Sequence, residues 1–362
     1  MDRTYVSFRG KKYSYFSGCD YFRLASHPKV VRAVRDGVRQ HGLNVSASRA
    51  TTGNHELYQQ LENELAEFFD AECALLVSSG YVTNLAVAQA LAGEFSYALI
   101  DERSHGCLAD AAKFLGCPII QFKHRDVPGV ARVVGRRLGS GSRPILLTDG
   151  MFSRDGSVAP LRALRKALPL DAWMLVDDAH GAGILGKTGK GAVEFEGVGR
   201  RQLIQTITLS KAFGTYGGAI LCSRSVREKI ISRSRLFVGN TPLPLPLANA
   251  ALAALGVLKR ANRFRLRLNQ NADYVKGRLR EAGFPLADNP GPIIPVIPGN
   301  PRETDTLKRR LLAAGIFPSL TRYPGAPKEG YFRFVISSEH TRMQLDALTD
   351  VLTEHHQRDK TK

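Results

Sequence analysis

The chain has 362 residues, 43% of them hydrophobic, which is enough for one large domain with a substantial core and a smaller second domain. Its apolar runs fall short of the ~18 residues of a membrane span, and no apolar segment follows the first charges. We therefore predict no membrane helix and no secretory signal, and we expect a cytoplasmic location.

The net charge of +18 is concentrated in residues 132–143, 224–235 and 259–267. These runs follow amphipathic helix patterns without interleaved aromatic residues, so nucleic-acid binding is not predicted.

Short apolar β runs alternate with helical periods along most of the chain. Helices are predicted over residues 28–40, 56–69, 82–92, 106–115, 128–138 and 160–168. Strands are predicted over residues 74–77, 97–100, 118–122, 144–148, 172–176, 203–209 and 218–222. This alternation requires crossover connections, so it predicts an α/β fold with a mostly parallel seven-stranded sheet covered on both faces.

A proline-dense segment, Thr241-Pro-Leu-Pro-Leu-Pro, ends this region, because its prolines cannot continue a helix or an internal strand. One long helix is predicted over about 246–280, then strands near 292–297 and 331–336 and a last helix from about 341. We therefore expect a large domain over residues 45–245 and a smaller α+β domain over residues 246–362. The N-terminal segment, residues 1–44, is expected to pack on the smaller domain.

The five cysteines are odd in number and lack CxxC spacing, so reduced thiols are expected rather than a disulfide framework. No His/Cys cluster has the spacing of zinc ligands. The sequence therefore predicts no metal site.

Two motifs carry the chemistry. Lys211 follows the apolar run 203–209 among small residues, and Asp177 ends the run 172–176. Small residues suit a backbone that passes close to a flat ligand, and ligands of open α/β sheets bind at the carboxyl ends of strands. A lysine that could form a Schiff base and an aspartate that could hold a pyridinium nitrogen together predict a pyridoxal 5′-phosphate (PLP) site.

Six ordered motifs extend this pattern over residues 15–350. The chain resembles the α-oxoamine synthases, PLP enzymes of fold type I, the aspartate aminotransferase fold, and among them 8-amino-7-oxononanoate synthase and glycine C-acetyltransferase. The motifs are SSGYVTN (78–84), DERSHGCL (101–108), TDGMFSRDGSVAPL (148–161), VDDAHGAGILGKTGKG (176–191), TLSKAFGTYGG (208–218) and R-x₆-H (333–340).

The resemblance implies roles for individual residues. Lys211 matches the Schiff-base lysine and, once released, the base that removes the substrate's Cα proton. Asp177 matches the carboxylate that pairs with the pyridine nitrogen. His180 would donate to the cofactor's phenolic oxygen with support from Ser153, and His105 would stack on the ring. Asp178 would point to the opposite face and have a structural role only.

The phosphate is expected where Ser79-Gly80-Tyr81 joins a strand to a helix, because free backbone N–H groups and the helix dipole face an anion there. Thr208 would add a hydroxyl. Thr241 matches a family threonine that reaches the phosphate of the neighbouring subunit, which implies a homodimer. Arg333 matches the arginine that binds the amino-acid carboxylate.

Three positions depart from the family pattern. The segment Asn44-Val45-Ser46-Ala47-Ser48-Arg49 replaces a glycine-rich segment, Cys19-Asp20-Tyr21-Phe22-Arg23 replaces Asn-x-Tyr-Leu-Gly, and Tyr58 replaces a histidine. These side chains would change the path of the acyl substrate.

The expected activity is condensation of glycine, alanine or serine with an acyl thioester, accompanied by decarboxylation. Coenzyme A or an acidic acyl carrier protein would suit the basic surface. Two alternatives remain: a PLP-dependent aminotransferase or aldol-type enzyme, and a non-catalytic regulatory or scaffold subunit.

Overall fold

A computed structural model describes residues 3–139, 141–260, 262–322 and 327–360. The chain forms two compact units. The sheet unit comprises His27–Phe152 and Val158–Arg260, and the terminal unit comprises Met1–Ser26, Ser153–Ser157 and Ala261–Lys362.

The following strands and helices lie in the two units, and they alternate through most of the sheet unit. The strands are β1 Tyr5–Phe8, β2 Lys11–Ser14, β3 Cys73–Val77, β4 Tyr97–Asp101, β5 Ile119–Phe122, β6 Pro144–Asp149, β7 Trp173–Asp177, β8 Leu203–Thr208, β9 Gly218–Cys222, β10 Ile293–Val296, β11 Leu320–Thr321 and β12 Tyr331–Val335. The helices are α1 Pro28–His41, α2 Glu56–Phe68, α3 Gly80–Ala90, α4 Gly106–Phe114, α5 Val127–Arg137, α6 Leu161–Ala167, α7 Ala192–Phe195, α8 Arg224–Arg233, α9 Arg235–Val238, α10 Leu245–Leu258, α11 Asn262–Glu281, α12 Pro301–Ala313 and α13 Arg342–Lys360. A short 3₁₀ helix covers Leu24–Ser26.

Seven strands form one sheet in the order β3-β9-β8-β7-β6-β4-β5. Strand β9 runs antiparallel to both neighbours, and the remaining pairs are parallel. Every residue of β6, β8 and β9 is buried. Strands that are covered on both faces consist of continuous apolar residues, and these apolar runs are what predicted the strands from the sequence. The predicted mostly parallel seven-stranded sheet is confirmed.

The terminal unit contains the antiparallel β1-β2 hairpin and a three-stranded antiparallel sheet of order β10-β12-β11. Helices α11 and α13 and strands β10 and β12 contribute to its apolar core. The short segment Ser153–Ser157 belongs here because Gly156 packs against Gly291. A Cβ on Gly156 would lie 2.9 Å from the Gly291 Cα, and the Gly291 N–H donates to the Gly156 carbonyl.

The predicted helix over 246–280 is wrong as a single element, because the chain forms α10 and α11 there. Helix α10 ends at Leu258 with Lys259 as its C-cap, and the Lys259 and Arg260 N–H groups donate to carbonyls of its last turn. Helix α10 is apolar and belongs to the sheet unit, whereas α11 belongs to the terminal unit. Periodicity alone did not reveal this change of unit.

The boundaries of the compact units also differ from those expected at residues 44 and 245. Helix α1 packs on α10 within the sheet unit, where Gly37 lies so close to Pro246 that a Cβ would be 2.8 Å from its Cα. The Asn249 side chain donates to the Ala33 carbonyl at 2.8 Å. Both helices therefore belong with the sheet rather than with the C-terminal strands.

The hairpin β1-β2 was not predicted. Its turn residues, Arg9 and Gly10, both have positive φ angles, of 50° and 73°. Such a turn usually contains Asn or Asp before the glycine, so the presence of Arg9 did not indicate a hairpin.

Within the described residues, no helix is both long enough and apolar enough to cross a membrane.

Candidate active site

Polar side chains collect at the carboxyl ends of the parallel strands of the sheet unit. Asp149 ends β6, Asp177 ends β7 and Thr208 ends β8. Asp149 and Asp177 are direct partners in the β6-β7 ladder. Lys211 follows three residues after β8. One edge of the sheet therefore carries two neighbouring carboxyl groups and a lysine, where open α/β sheets bind ligands.

Asp177 is 7% exposed and its carboxylate has three donors. Its Oδ2 accepts from the Asn84 side-chain amide at 2.6 Å and from the Cys107 thiol at 3.2 Å, and its Oδ1 accepts from the Ala179 N–H at 3.0 Å. Asn84 is itself fixed, because its side-chain oxygen accepts from the Thr206 hydroxyl at 2.8 Å. Helices α3 and α4 and strand β8 thus orient one carboxylate.

His105 is the N-cap residue of α4, and its Nδ1 accepts from the Cys107 N–H at 3.3 Å. The same nitrogen lies 2.9 Å from the Cys107 sulfur. The Tyr81 ring meets the His105 ring edge to face, with centroids 6.2 Å apart. The imidazole is therefore held by its helix terminus while part of it remains exposed to solvent.

The buried charges act on one another. Burial raises the pKa of Asp149 well above its usual range, and the charge of Asp177 adds to the rise, which favours the protonated form of Asp149. Partial burial lowers the pKa of His105; Asp177 opposes this shift and Lys211 reinforces it. Both Asp177 and Lys211 are thus close enough to act on His105 and Asp149. The neutral form of the His105 imidazole is therefore favoured.

A tight loop presents Lys211. The Thr215 N–H donates to the Leu209 carbonyl and the Gly214 N–H donates to the Lys211 carbonyl. Gly214 has a φ of +64°, a conformation that glycine adopts without strain. Lys211 is half-buried at this turn.

The N-terminus of α3 has the properties of an anion site. Its N-cap residue, Ser79, makes no side-chain capping bond, so the first N–H groups of the helix are available to a ligand. A Cβ on Gly80 would lie 2.7 Å from the Thr208 Cβ and 2.8 Å from its hydroxyl oxygen. Gly80 is therefore required for close approach to Thr208. An uncapped helix N-terminus, a buried carboxylate and a lysine on one edge fit a phosphorylated pyridine aldehyde.

Other predicted residues have the following environments. His180 is 7% exposed and directly follows Ala179, whose N–H donates to the Asp177 Oδ1. Tyr81 is 45% exposed, and its hydroxyl donates to Asp110 at 2.5 Å, which raises the pKa of Tyr81 to about 12. Thr241 is exposed on the surface of the sheet unit.

Asp178 is fully buried on the other side of the strand. Its Oδ2 accepts from the Ala192 N–H at 2.8 Å and from the Gln205 side-chain amide at 2.6 Å. Burial raises the pKa of Asp178 to about 7. These contacts agree with the structural role expected for it.

Arg333 and Ser153 belong to the terminal unit and contact each other there. The Arg333 Nε donates to the Ser153 carbonyl at 2.6 Å, and its two terminal nitrogens lie 3.7 and 3.6 Å from the Cys19 sulfur. The Tyr21 ring is fully buried, and burial raises the pKa of its hydroxyl, with Cys19 adding to the rise. The Ser153 carbonyl thus orients the Arg333 guanidinium. The two terminal nitrogens lie beside the Cys19 sulfur, which is a weak hydrogen-bond acceptor.

Sequence reasoning did not single out Asn84, Cys107, Thr206 or Asp149. Asn84, Cys107 and Asp149 lie inside the quoted motifs, so the signal was present. Their contacts with Asp177 depend on how α3, α4 and β6 meet at the sheet edge, which no local pattern specifies.

Comparison with known proteins places the chain in a family. The aminotransferase class I and II family model matches residues 18–352. The 8-amino-7-oxononanoate synthase of Thioalkalivibrio sulfidiphilus is 37% identical over 347 residues, which cover 95% of this chain and 88% of that protein.

Two solved structures are similar throughout. The 8-amino-7-oxononanoate synthase of Francisella tularensis superposes with a TM-score of 0.83 at 26% identity, covering 96% of this chain and 99% of that one. A serine palmitoyltransferase variant from S. paucimobilis with a bound PLP–myriocin aldimine gives a TM-score of 0.92 at 25% identity, covering 99% and 91%. The chain therefore belongs to the aminotransferase class I and II family and, within it, to the α-oxoamine synthases.

Proposed function

We propose that this protein is a PLP-dependent acyltransferase that condenses glycine, alanine or serine with an acyl thioester. Carbon dioxide and the free thiol leave, and an α-amino ketone is the product. The observation that carries the proposal is the sheet edge itself, where the oriented carboxylate of Asp177 ends β7 and Lys211 follows three residues after β8. The relatives named above as 8-amino-7-oxononanoate synthases support the same reaction class.

Bound here, PLP would supply an aldehyde that links to amines and a ring that accepts carbanion charge. Asp177 would hold the proton on the ring nitrogen, and its three donors keep the carboxylate in one orientation. Lys211 Nζ would hold the aldehyde before the amino acid arrives and would then take the Cα proton of the substrate. The amine of a half-buried lysine suits both tasks.

His105, His180 and Ser153 would orient the ring and the thioester carbonyl. His105 is fixed at the N-terminus of α4 and favours its neutral form, so it can stack on a ring without adding a positive charge. The first N–H groups of α3, with Gly80, Tyr81 and Thr208, would bind the phosphate.

Arg333 would bind the carboxylate of the amino acid. Its Nε donates to the Ser153 carbonyl, and its two terminal nitrogens, which here face the Cys19 sulfur, have the geometry for a bidentate carboxylate. The Cys19 sulfur beside them is a weak acceptor that a carboxylate would displace.

We further propose a homodimer in which the exposed Thr241 reaches the phosphate bound by the other subunit. Five free cysteines support a reducing, cytoplasmic environment. The acyl carrier is coenzyme A or an acyl carrier protein.

The test is a product assay. The protein is incubated with PLP, each of the three amino acids, and a series of acyl groups from acetyl to long chains on coenzyme A or on carrier protein. Thiol release, CO₂ release and the mass of the new amino ketone are measured. A matched Lys211→Ala variant should form no ketone.

The outcomes separate the alternatives. Thiol release together with an amino ketone supports the acyltransferase. A keto acid formed without thiol release supports an aminotransferase, and retro-aldol fragments support an aldol-type enzyme. PLP binding without turnover of any substrate supports a regulatory or scaffold subunit.

A further inference from the structure

A buried lysine of the terminal unit has no task in the reaction proposed above. Lys276, on α11, is 4% exposed, and its Nζ donates to the Asn289 carbonyl at 2.5 Å and to the Gly291 carbonyl at 2.7 Å. Residues 289–291 form the loop before β10. We propose that Lys276 is a positioning residue for Arg333, because it fixes this loop and the loop fixes the carbonyl that orients the Arg333 guanidinium. The inference rests on the proposed function, in which Arg333 binds the carboxylate of the amino acid.

The buried position of Lys276 is energetically unfavourable unless its contacts compensate. A charged lysine is seldom buried without a partner. Burial lowers the pKa of Lys276 to about 8; Asp273 and Asp288 oppose this shift and Arg280 reinforces it. Within the described residues, the hydrogen bonds of Nζ go to the two loop carbonyls and not to a carboxylate. The ammonium group therefore serves to hold these carbonyls in place.

The loop in turn holds the short segment Ser153–Ser157. The Gly291 N–H donates to the Gly156 carbonyl at 3.1 Å, and the Asn289 side-chain amide donates to the Asp155 carbonyl at 3.4 Å. Gly156 has a φ of +72°, and a Cβ there would lie 2.9 Å from the Gly291 Cα. Because these two backbones touch, a shift of the loop must also move the segment.

Both supports of Arg333 depend on this arrangement. The Arg333 Nε donates to the Ser153 carbonyl at 2.6 Å, at the start of the segment. The backbone of Arg333 lies on β12 opposite Pro295 of β10, the strand that follows the loop. The direction of the guanidinium decides whether both of its terminal nitrogens can reach one carboxylate. A displaced loop would therefore weaken binding of the amino acid.

Packing alone does not hold the loop. A cavity of about 420 Å³ lies beside it, and Asp155, Lys276 and Asn289 are among the residues that line this cavity. Atoms that face a cavity lack packing partners on that side, so they can shift when a hydrogen bond is removed. Arg280 donates to the Ala287 carbonyl at 3.2 Å, two residues before the loop, but this arginine is exposed. Lys276 is thus the buried cation that contacts the loop itself.

The experiment compares Lys276→Met with the wild type. Methionine has a similar length but no N–H group, so the two loop carbonyls lose their donor. Arg278→Met is the matched control, because Arg278 is also on α11 but its guanidinium donates to Tyr274 and Asp350 rather than to the loop. Gly156→Ala disturbs the next contact and takes the place of Lys276→Met if that variant does not fold. Thermal unfolding verifies that each variant is folded.

Hydrogen exchange is measured first, on the full chain without PLP or substrate. In Lys276→Met, the amide of Gly291 and peptides that span residues 151–158 should exchange at least about tenfold faster than in the wild type. Arg278→Met should exchange at the wild-type rate in both places. Unchanged exchange in folded Lys276→Met, or in folded Gly156→Ala where that variant takes its place, overturns the proposal.

Steady-state kinetics with PLP then test the effect on Arg333. In Lys276→Met and Gly156→Ala, KM for the amino acid should rise about tenfold while kcat and KM for the thioester stay within about threefold, because the lost contact binds substrate and transition state alike. A partly unfolded protein would instead lower kcat and leave KM unchanged. A wild-type KM for the amino acid in folded Lys276→Met overturns the proposal. Wild-type protein that forms no ketone contradicts the proposed function, and the exchange rates then decide whether Lys276 holds the segment.

Discussion

Replacement of Gly80 by alanine tests the phosphate site directly. The added Cβ would lie 2.7 Å from the Thr208 Cβ, whereas non-bonded carbon atoms prefer about 3.5–4.0 Å. Either Thr208 or the first turn of α3 must therefore move by about 1 Å. Overpacking of this kind costs about 1–3 kcal/mol of stability.

The groups that must move are those assigned to the phosphate, namely the Thr208 hydroxyl and the first N–H groups of α3. Hydrogen bonds to a charged group contribute about 1.5–3 kcal/mol each. Loss of one such bond weakens PLP binding by about 10- to 100-fold. We expect that increase in the PLP dissociation constant for Gly80→Ala.

The assay is a titration of PLP into cofactor-free protein, followed by absorbance, together with thermal unfolding without cofactor. Gly135→Ala is the matched control, because a Cβ at that position in α5 has no atom within 4 Å. It should bind PLP normally and gain up to about 1 kcal/mol in stability. A Gly80→Ala protein that is less stable but binds PLP within twofold of wild type would refute the assignment of the phosphate to α3.

Three further outcomes are expected. Asp177→Asn should retain PLP yet lower kcat about 100-fold or more, because an amide cannot hold the ring nitrogen protonated; steady-state kinetics and the absorption spectrum measure both effects. Arg333→Lys should raise KM for the amino acid about tenfold with a smaller change in KM for the thioester, since an ammonium group cannot make the bidentate contact. His340 accepts from the Ser337 N–H at 3.0 Å and stacks on a buried ring, and burial lowers its pKa to about 3. Below about pH 6.5, His340 therefore binds a proton in the unfolded protein but not in the folded protein. The free energy of unfolding should fall by about 2 kcal/mol between pH 6.5 and 5. Urea unfolding at both pH values should show a smaller fall for His340→Gln. An equal fall in both proteins would remove His340 as the cause.

The sheet could be read from the sequence because its strands are short apolar runs separated by regular helices. Asp177 and Lys211 could be predicted to lie at the same edge of the sheet, because they stand at or just after the carboxyl ends of the parallel strands β7 and β8. These two inferences needed only pattern and topology.

What could not be predicted depends on packing between elements distant in the sequence. The contact of Gly37 with Pro246 assigns α1 and α10 to the sheet unit, and neither residue signals the other. The change of unit between α10 and α11 is hidden by continuous helical periodicity. The contact of Cys107 with Asp177 likewise arises only when α4 meets β7.

The proposed reaction depends on a covalent bond between Lys211 and PLP. Purified protein is reconstituted with PLP, its visible absorption is recorded, and it is then reduced with borohydride, digested and analysed by mass spectrometry. We expect yellow protein whose reduced pyridoxyl group is found on the peptide that contains Lys211, with no such label in Lys211→Ala. Colourless protein, or a label on another lysine with Lys211 unmodified, would contradict it.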